Sequence, residues 1–257
     1  HPLARLVARC ALAREETRGA HSRRDFPATD RDLDGRHTVL AAGDILIVFD
    51  ADYLPGKSLL RQLVSPFFDP EVGAVMGRVV PLNAGTNLLT RLLDLERSAG
   101  YQVDQQARMN LHLVPQYGGT VGGVRLSALA DVGGWRDDTL TEDTDLTYRL
   151  LLAGWKTAYQ NRAECYEEVP ETWRMRIRQI RRWAKGHNQA LWRHLFALLR
   201  SPRVSRREKL DGALLLAVYV MAPVLAIAWL LVLALFYTGH LLFAGASLLM
   251  LCFFLYG

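Results

Sequence analysis

A run of 25 residues without a charged side chain, Ala213–Tyr237, limits what this chain of 257 residues can fold into. About 20 consecutive apolar residues are enough for a helix to cross the hydrocarbon core of a bilayer. A second uncharged run, Leu241–Tyr256, follows after only three residues and is short for a complete span. We therefore predict an integral membrane protein in which residues 210–257 form a transmembrane helical hairpin that is truncated at its end.

The positive charge of the chain is concentrated beside the first apolar run. The segment 174–209 contains twelve Lys or Arg residues and one acidic residue, Glu208, so its net charge is +11 while the rest of the chain sums to −6. Basic segments next to a span are typical of the cytoplasmic side and of contact with anionic lipid. We predict that residues 171–209 include a basic amphipathic helix at the bilayer surface, and we expect no nucleic-acid partner.

Residues 37–170 alternate between strand-like and helix-like patterns. The continuous apolar run Ile45–Phe49 is typical of a buried parallel strand, and Val72–Val80 is a second run of this kind. Each of these runs is followed by a segment with helical periodicity, Ser58–Phe68 and Thr86–Met109. In the second segment Leu88, Leu92 and Leu95 are four and three residues apart, which is helical spacing. Alternating strands and helices predict one α/β domain with a mostly parallel sheet.

The second half of this domain contains a glycine-rich segment and a cluster of acidic residues. Tyr117–Gly123 is predicted to be a glycine-rich loop, and Thr141–Leu152 is predicted to be a helix that Gly154 ends. The first turn of that helix holds Glu142, Asp143 and Asp145. Acids at a helix start are commonly caps, but one that faced a cleft would be placed to act as a general base.

Two further groups of residues carry chemistry. Asp50 and Asp52 follow the first predicted strand, at the edge where open α/β sheets bind ligands. They either cap the strand or converge on a hard divalent cation. Gln179, Arg182 and Trp183 share one side of the basic helix, where they would bind a hydroxyl, a phosphate and a sugar ring, or else face lipid.

Taken in order, Asp50-Ala51-Asp52, Thr141-Glu142-Asp143 and Gln179-x-x-Arg182-Trp183 resemble the three motifs of the membrane-embedded family 2 glycosyltransferases. That family includes the cellulose, hyaluronan, chitin and mannan synthases. The resemblance extends over about three quarters of the chain, from Asp44 to Tyr237. It implies a GT-A-type nucleotide-sugar-binding domain, followed by an amphipathic interface helix and transmembrane helices, that catalyses a metal-dependent, inverting hexosyl transfer.

The resemblance also implies a role for each motif residue. Asp143 would be the catalytic base, and Asp52 would hold Mg²⁺ or Mn²⁺. The donor, a UDP- or GDP-sugar, would be bound through its diphosphate by Asp50, Gln179 and Arg182. The acceptor, a carbohydrate or a lipid, would be bound by Trp135, Glu142 and Trp183.

Several alternatives stay open at this stage. The family opens with an earlier strand, a Pro-x-Tyr-Asn-Glu-like loop and an Asp for the nucleotide base, none of which is visible in the polar residues 1–36. We therefore expect the N-terminal part of the catalytic domain to be missing, and we assign residues 1–36 no function. The product would be a growing polysaccharide or a singly glycosylated lipid, and a non-catalytic membrane scaffold is the third alternative. The sequence does not indicate whether the transferred sugar is glucose or mannose.

Overall fold

The computed structural model describes residues 38–42, 45–50 and 52–239, and these build a six-stranded sheet covered by helices. In chain order the strands are β1 (Thr38–Ala42), β2 (Ile45–Phe49), β3 (Leu54–Pro55), β4 (Val72–Pro81), β5 (Val121–Arg125) and β6 (Lys156–Glu167). The strand order across the sheet is β1-β2-β5-β4-β6-β3.

The sheet is mixed, so the expectation of a mostly parallel sheet is wrong for the described strands. Only β4 and β6 pair in parallel, while the β1–β2, β2–β5, β4–β5 and β3–β6 pairs are antiparallel. Two residues separate β1 from β2, and so short a connection permits only an antiparallel pair. A continuous apolar run identifies a buried strand, but it does not specify the direction of the strand's partner.

Helices follow the predicted segments closely. The α-helices are α1 (Leu59–Val64), α2 (Leu88–Ser98), α3 (Gln106–Asn110), α4 (Leu126–Asp131), α5 (Glu142–Ala153), α6 (Trp173–Arg200), α7 (Arg206–Leu216) and α8 (Val218–Tyr237). The helix predicted at Thr86–Met109 is continuous and has three parts, with a π-helical segment, Ala99–Gln105, between α2 and α3. A 3₁₀ turn, Ser65–Phe68, follows α1.

The glycine-rich stretch Tyr117–Gly123, which was predicted to be a loop, lies partly in the sheet, because its last three residues belong to β5. Gly122 and Gly123 lie in the middle of β5, between β2 and β4. A Cβ on Gly122 would lie 2.5 Å from the carbonyl oxygen of Val75, and one on Gly123 would lie 2.8 Å from the side chain of Ile47. These glycines are therefore needed for close packing around the central strand, which glycine content alone does not distinguish from a turn.

A buried carboxylate fastens the helices of the second half to one another. The Oδ2 atom of Asp145 in α5 accepts from Arg149 Nε at 2.7 Å, and its Oδ1 atom lies 2.7 Å from Nε2 of His194 in α6. Arg149 also donates to the carbonyl oxygens of Val132 and Gly134, both at 2.7 Å. The Asp145–Arg149 pair therefore joins α5, α6 and the loop after α4.

The first turns of α6 do not pack on the protein by their apolar residues. Trp173 and Ile177 are 62% and 52% exposed, whereas Leu198, near the end of the helix, is buried. The residues of α6 that face the domain are mainly hydrogen-bonded polar residues and small residues, because these can form hydrogen bonds with, or pack closely against, the neighbouring elements. The buried residues of α6 are Arg176, Gly186, Ala190, His194 and Leu198.

The described residues include one helix, α8, that is long and apolar enough to cross a membrane by its length and composition. Only 6% of its most apolar window is buried, and the mean hydropathy of that window is 2.5. The uninterrupted run Ala213–Tyr237 is divided between α7 and α8, because the chain leaves helical geometry at Ala217. The second predicted span, Leu241–Tyr256, lies outside the described residues.

Replacement of Asp145 by Asn is expected to lower the free energy of unfolding by about 3–5 kcal/mol, because it leaves the buried Arg149 guanidinium without its counter-charge. Thermal unfolding followed by circular dichroism in detergent measures the loss. Asp138→Asn is the matched control, because Asp138 also pairs with Arg193 but its side chain is 59% exposed. It should cost less than about 1 kcal/mol. Equal losses in the two variants would contradict the anchoring role.

Candidate active site

A cleft of about 990 Å³ opens where β2 ends, between the loop before β5 and helices α2, α5 and α6. The three sequence motifs, which are separated by as many as 129 positions, meet here. All of the predicted site residues line this cleft: Asp50, Asp52, Trp135, Glu142, Asp143, Gln179, Arg182 and Trp183.

The aspartates at the end of β2 reach the cleft because the strand before them is buried. Leu46, Ile47 and Val48 are all less than 10% exposed, so the chain leaves the core at Asp50. The backbone N–H of Asp50 donates to the carbonyl oxygen of Thr120 at 3.2 Å, which ties the strand end to the loop before β5. Asp52 is half-buried two residues further on.

The loop before β5 lies directly against the first turn of α5. Gly119 has a φ angle of +67°, and a Cβ there would lie 3.0 Å from the Cβ of Asp143. Gln116 donates its side-chain amide to Thr144 Oγ1 at 3.0 Å, and the Tyr117 N–H donates to Thr147 Oγ1 at 3.0 Å. A left-handed glycine is needed here both for the turn and for the close approach to Asp143.

The protonation of Asp143 is perturbed by its position in the cleft. Burial, followed by the negative charge of Glu142, raises its pKa to about 7, and Asp50 adds to the effect. The backbone N–H of Thr144, which donates to Asp143 Oδ1 at 2.7 Å, opposes the shift. A carboxyl group with a pKa near 7 is well matched to exchanging protons at neutral pH.

Gln179 and Trp183 are held by a charge network that reaches α2. Arg176 donates to Gln179 Oε1 at 2.7 Å and pairs with Glu96 at 2.5 Å. The ring of Trp183 faces the guanidinium carbons of Arg176 at 5.2 Å and of Arg97 at 5.6 Å. Two cation–π contacts hold this indole in the cleft, so Trp183 does not lie on a lipid-facing surface.

The sequence interpretation missed the residues that support these motifs. Arg97 Nε donates to Glu167 Oε1 at 2.6 Å, and the Tyr53 hydroxyl donates to Glu167 Oε2 at 2.5 Å. Glu167 ends β6 and is buried, so the network joins the sheet to α2 and α6. Their only signal in the sequence was the adjacent charged pair Glu96-Arg97 in an amphipathic helix.

The acids of the cleft fit a divalent cation that is shared with a ligand. The described residues contain no group of three Asp, Glu, His or Cys side chains that could enclose a metal ion. Mg²⁺ commonly takes one or two protein carboxylates and completes its shell with phosphate oxygens and water. Asp50 and Asp52 supply that number, and the exposed Arg182 adds a cation to the same cleft.

Helix α6 approaches the second motif at a glycine. A Cβ on Gly186 would lie 2.3 Å from Cγ2 and 2.9 Å from Cβ of Thr141, the residue immediately before α5. No side chain fits in that space without a movement of the backbone. Gly186 therefore sets the distance between α6 and the turn that carries Glu142 and Asp143.

Comparisons with known proteins give two family matches and several curated relatives. Residues 45–257 match the family model described as glycosyl transferase family group 2, and residues 1–47 match one described as fumarate reductase flavoprotein C-term. Glucomannan 4-beta-mannosyltransferase 7 of Arabidopsis thaliana is 34% identical over 176 residues, which are 68% of this chain and 32% of that protein. Probable glycosyltransferase YdaM of Bacillus subtilis is 34% identical over 154 residues, 60% of this chain and 37% of that protein.

The chain spans about a third of the length of the curated relatives it matches. Among solved structures, the mannosyltransferase PcManGT from Pyrobaculum calidifontis, in complex with GDP-Man and Mn²⁺, matches with a TM-score of 0.48 at 22% identity. That match covers 79% of this chain and 56% of the other.

Replacement of Gly186 by Ala is expected to destabilise the protein by about 1–3 kcal/mol, because the new methyl group overlaps Thr141. This loss of stability is opposite to the usual effect of the substitution, because alanine is otherwise favoured over glycine within a helix by about 1 kcal/mol. Thermal unfolding measures the change. Gly85→Ala is the control, because a Cβ at Gly85 meets nothing within 4 Å. A stabilised Gly186→Ala variant would show that α6 and Thr141 are not in close contact.

Proposed function

The chain belongs to glycosyl transferase family group 2, and on that premise we propose that it transfers a hexosyl residue from a nucleotide sugar to a hydroxyl of a growing β-glycan. The observation that carries the proposal is the meeting of Asp52, Asp143 and Trp183 in one cleft. They supply a metal ligand, a proton acceptor and a sugar-binding ring. A membrane scaffold would not require this combination of residues.

Asp143 acts as the general base in this proposal. Its raised pKa allows it to take the proton of the acceptor hydroxyl while the hydroxyl oxygen bonds to the anomeric carbon. The bond from that carbon to the nucleoside diphosphate breaks in the same displacement. Attack from the side opposite the leaving group inverts the anomeric configuration.

The donor diphosphate is bound by the acids at the end of β2 and by α6. Asp52, beside Asp50, would hold Mg²⁺ or Mn²⁺, and such a cation would supply positive charge against the leaving diphosphate. Arg182, which is exposed in the cleft, pairs with a phosphate group. Gln179 is oriented by Arg176 and hydrogen-bonds the same end of the donor.

The acceptor lies against two indole rings. Trp183 is fixed between Arg176 and Arg97 and offers its ring to the face of a sugar. Trp135 is half-buried and packs against the core between α4 and α5, so it is a rigid wall of the cleft. Glu142 accepts hydrogen bonds from acceptor hydroxyls and also raises the pKa of its neighbour Asp143.

The sugar is proposed to be mannose, and the site is proposed to face the cytoplasm. The name of the Arabidopsis relative, a glucomannan 4-beta-mannosyltransferase, supports nucleotide-activated mannose as the donor and a polysaccharide as the acceptor. The exposed apolar surface of α8 supports an integral membrane protein. The Arg- and Lys-rich α6, which leads into α8 through α7, supports a cytoplasmic catalytic domain by the positive-inside rule.

Two substitutions separate turnover from donor binding. Asp143→Asn is expected to lower sugar transfer by about 10²–10⁴-fold, because the general base is lost, without weakening Mn²⁺-dependent binding of nucleoside diphosphate. Asp52→Asn is expected to abolish that binding. Radiolabelled transfer from GDP-mannose and UDP-glucose, and calorimetric titration of GDP and UDP with Mn²⁺, measure the two quantities.

Each outcome of this experiment discriminates between alternatives. Retained turnover in Asp143→Asn contradicts the assignment of the base. Absence of metal-dependent binding in the unsubstituted chain contradicts the donor site and favours a scaffold. Resolution of the products by length on a gel distinguishes a polymer from a single transfer to lipid.

The rate of transfer is expected to rise with pH through a midpoint of about 7. Below that pH the Asp143 carboxyl is protonated and cannot accept the proton of the acceptor. Glu142→Gln removes a neighbouring negative charge, so it should lower the pKa of Asp143 and move the midpoint to lower pH. Glu71→Gln is the control, since this exposed carboxylate pairs with Lys156 away from the cleft. A midpoint that Glu142→Gln leaves unchanged would assign the titration to another group.

A further inference from the structure

Glu167, the last residue of β6, is a buried acid that lines the cleft but has no role in the proposed reaction. Its Oε2 atom accepts from the Tyr53 hydroxyl at 2.5 Å, and its Oε1 atom accepts from Arg97 Nε at 2.6 Å. Partners of this kind are what allow a carboxylate to be buried. Because each oxygen already has a donor, Glu167 acts through Tyr53 and Arg97 rather than on a ligand directly.

The contact with Tyr53 leads to the proposed donor site. Tyr53 immediately follows Asp52, and its backbone N–H donates to the carbonyl oxygen of Asp50 at 3.2 Å. The short strand β3 begins one residue later and pairs with the end of β6. The antiparallel register of that pair, continued by one residue, places Tyr53 opposite Glu167. The turn that carries the two aspartates is therefore fastened to β6 through the hydroxyl of Tyr53.

The contact with Arg97 leads to the proposed acceptor site. The guanidinium carbon of Arg97 is 5.6 Å from the centre of the Trp183 ring. Burial lowers the pKa of Arg97, but the charge of Glu167 outweighs it and raises that pKa above its usual range. The guanidinium thus stays charged and oriented, as a cation–π contact requires. The second guanidinium against this ring, that of Arg176, is held by Glu96 instead.

We propose that Glu167 is a positioning residue for both substrates. Through Tyr53 it fixes the turn that holds Asp52. Through Arg97 it fixes the ring of Trp183. The inference rests on the donor and acceptor roles that the proposed function gives to Asp52 and Trp183. One carboxylate then sets the distance between the diphosphate and the acceptor, which must be held closely for an in-line displacement.

Calorimetric titration of the full chain in detergent tests this proposal, with GDP and Mn²⁺ as the donor probe and a short β-mannan oligosaccharide as the acceptor probe. Glu167→Ala removes both acceptor oxygens and should weaken the binding of each probe by about tenfold, as is typical when a residue that supports a metal ligand is replaced. Glu167→Gln should bind both probes more tightly than Glu167→Ala. Its amide oxygen can accept from Arg97, and its amide nitrogen can donate to the hydroxyl oxygen of Tyr53.

Two further substitutions remove one contact at a time, so the test does not depend on the folding of Glu167→Ala. Tyr53→Phe should weaken the binding of GDP with Mn²⁺ by about tenfold and leave that of the oligosaccharide within about twofold. Arg97→Lys keeps a positive charge beside Glu167 but loses the planar guanidinium over Trp183. It should therefore weaken the binding of the oligosaccharide and leave that of GDP unchanged.

Glu164→Ala is the matched control, because Glu164 lies on the same strand and also accepts from a tyrosine and an arginine. Its partners are Tyr166 and Arg78, and it lines a separate surface pocket rather than the cleft. This variant should bind both probes as the unsubstituted chain does.

The other outcomes overturn the positioning role. Unchanged binding of both probes by Glu167→Ala, or weaker binding of only one, would show that the carboxylate does not serve both sites. Equal losses in Glu164→Ala would attribute the effect to general destabilisation. In each of these cases the unsubstituted chain still binds its probes, so the proposed function stands. If the unsubstituted chain binds neither probe, the proposed donor and acceptor sites are wrong, and this inference fails with them.

Discussion

The buried carboxylate of Asp145 is the interaction on which the rest of the structure depends. It accepts hydrogen bonds from Arg149 on its own helix and lies against His194 of α6, so α5 and α6 cannot separate without exposing uncompensated charge. Hydrogen bonding by these partners, and the charge of Arg149, hold the pKa of Asp145 well below its usual range although burial acts in the opposite direction. The carboxylate therefore stays ionised at neutral pH, where it holds α5 and α6 together.

This attachment explains how a basic helix becomes a wall of the active site. With α5 and α6 joined at Asp145, Gly186 of α6 packs against Thr141 at the start of α5. One turn earlier along α6, Trp183 enters the cleft beside the turn that carries Asp143. A single helix therefore carries exposed arginines on one side and presents the ring of Trp183 to the cleft on another.

The predictions made from the sequence agree best with the structure for the residues of the three motifs, whose chemistry is evident from short stretches of the chain. The GT-A-type α/β fold is confirmed by the family match and the mixed sheet, and the three motifs converge as their order implied. Errors arose where residues respond to distant partners. Asp143 and Asp145 were grouped as one acidic cluster, yet Asp143 lines the cleft and Asp145 is a structural anchor. Because Asp143 and Asp145 are two positions apart on α5, their carboxylates point to different sides of the helix. That of Asp143 faces the cleft, and that of Asp145 faces His194.

The sequence by itself determined the secondary elements, the motif residues and the presence of a long apolar helix, because periodicity and turn residues are local properties. Tertiary structure alone decided that most strand pairs are antiparallel, that Gly122 belongs to a strand, and that Leu92 faces outward while Leu93 faces the core. It also decided that Arg97 holds Trp183. These features depend on which surfaces meet across the fold, and a pattern of neighbours along the chain does not encode that pairing.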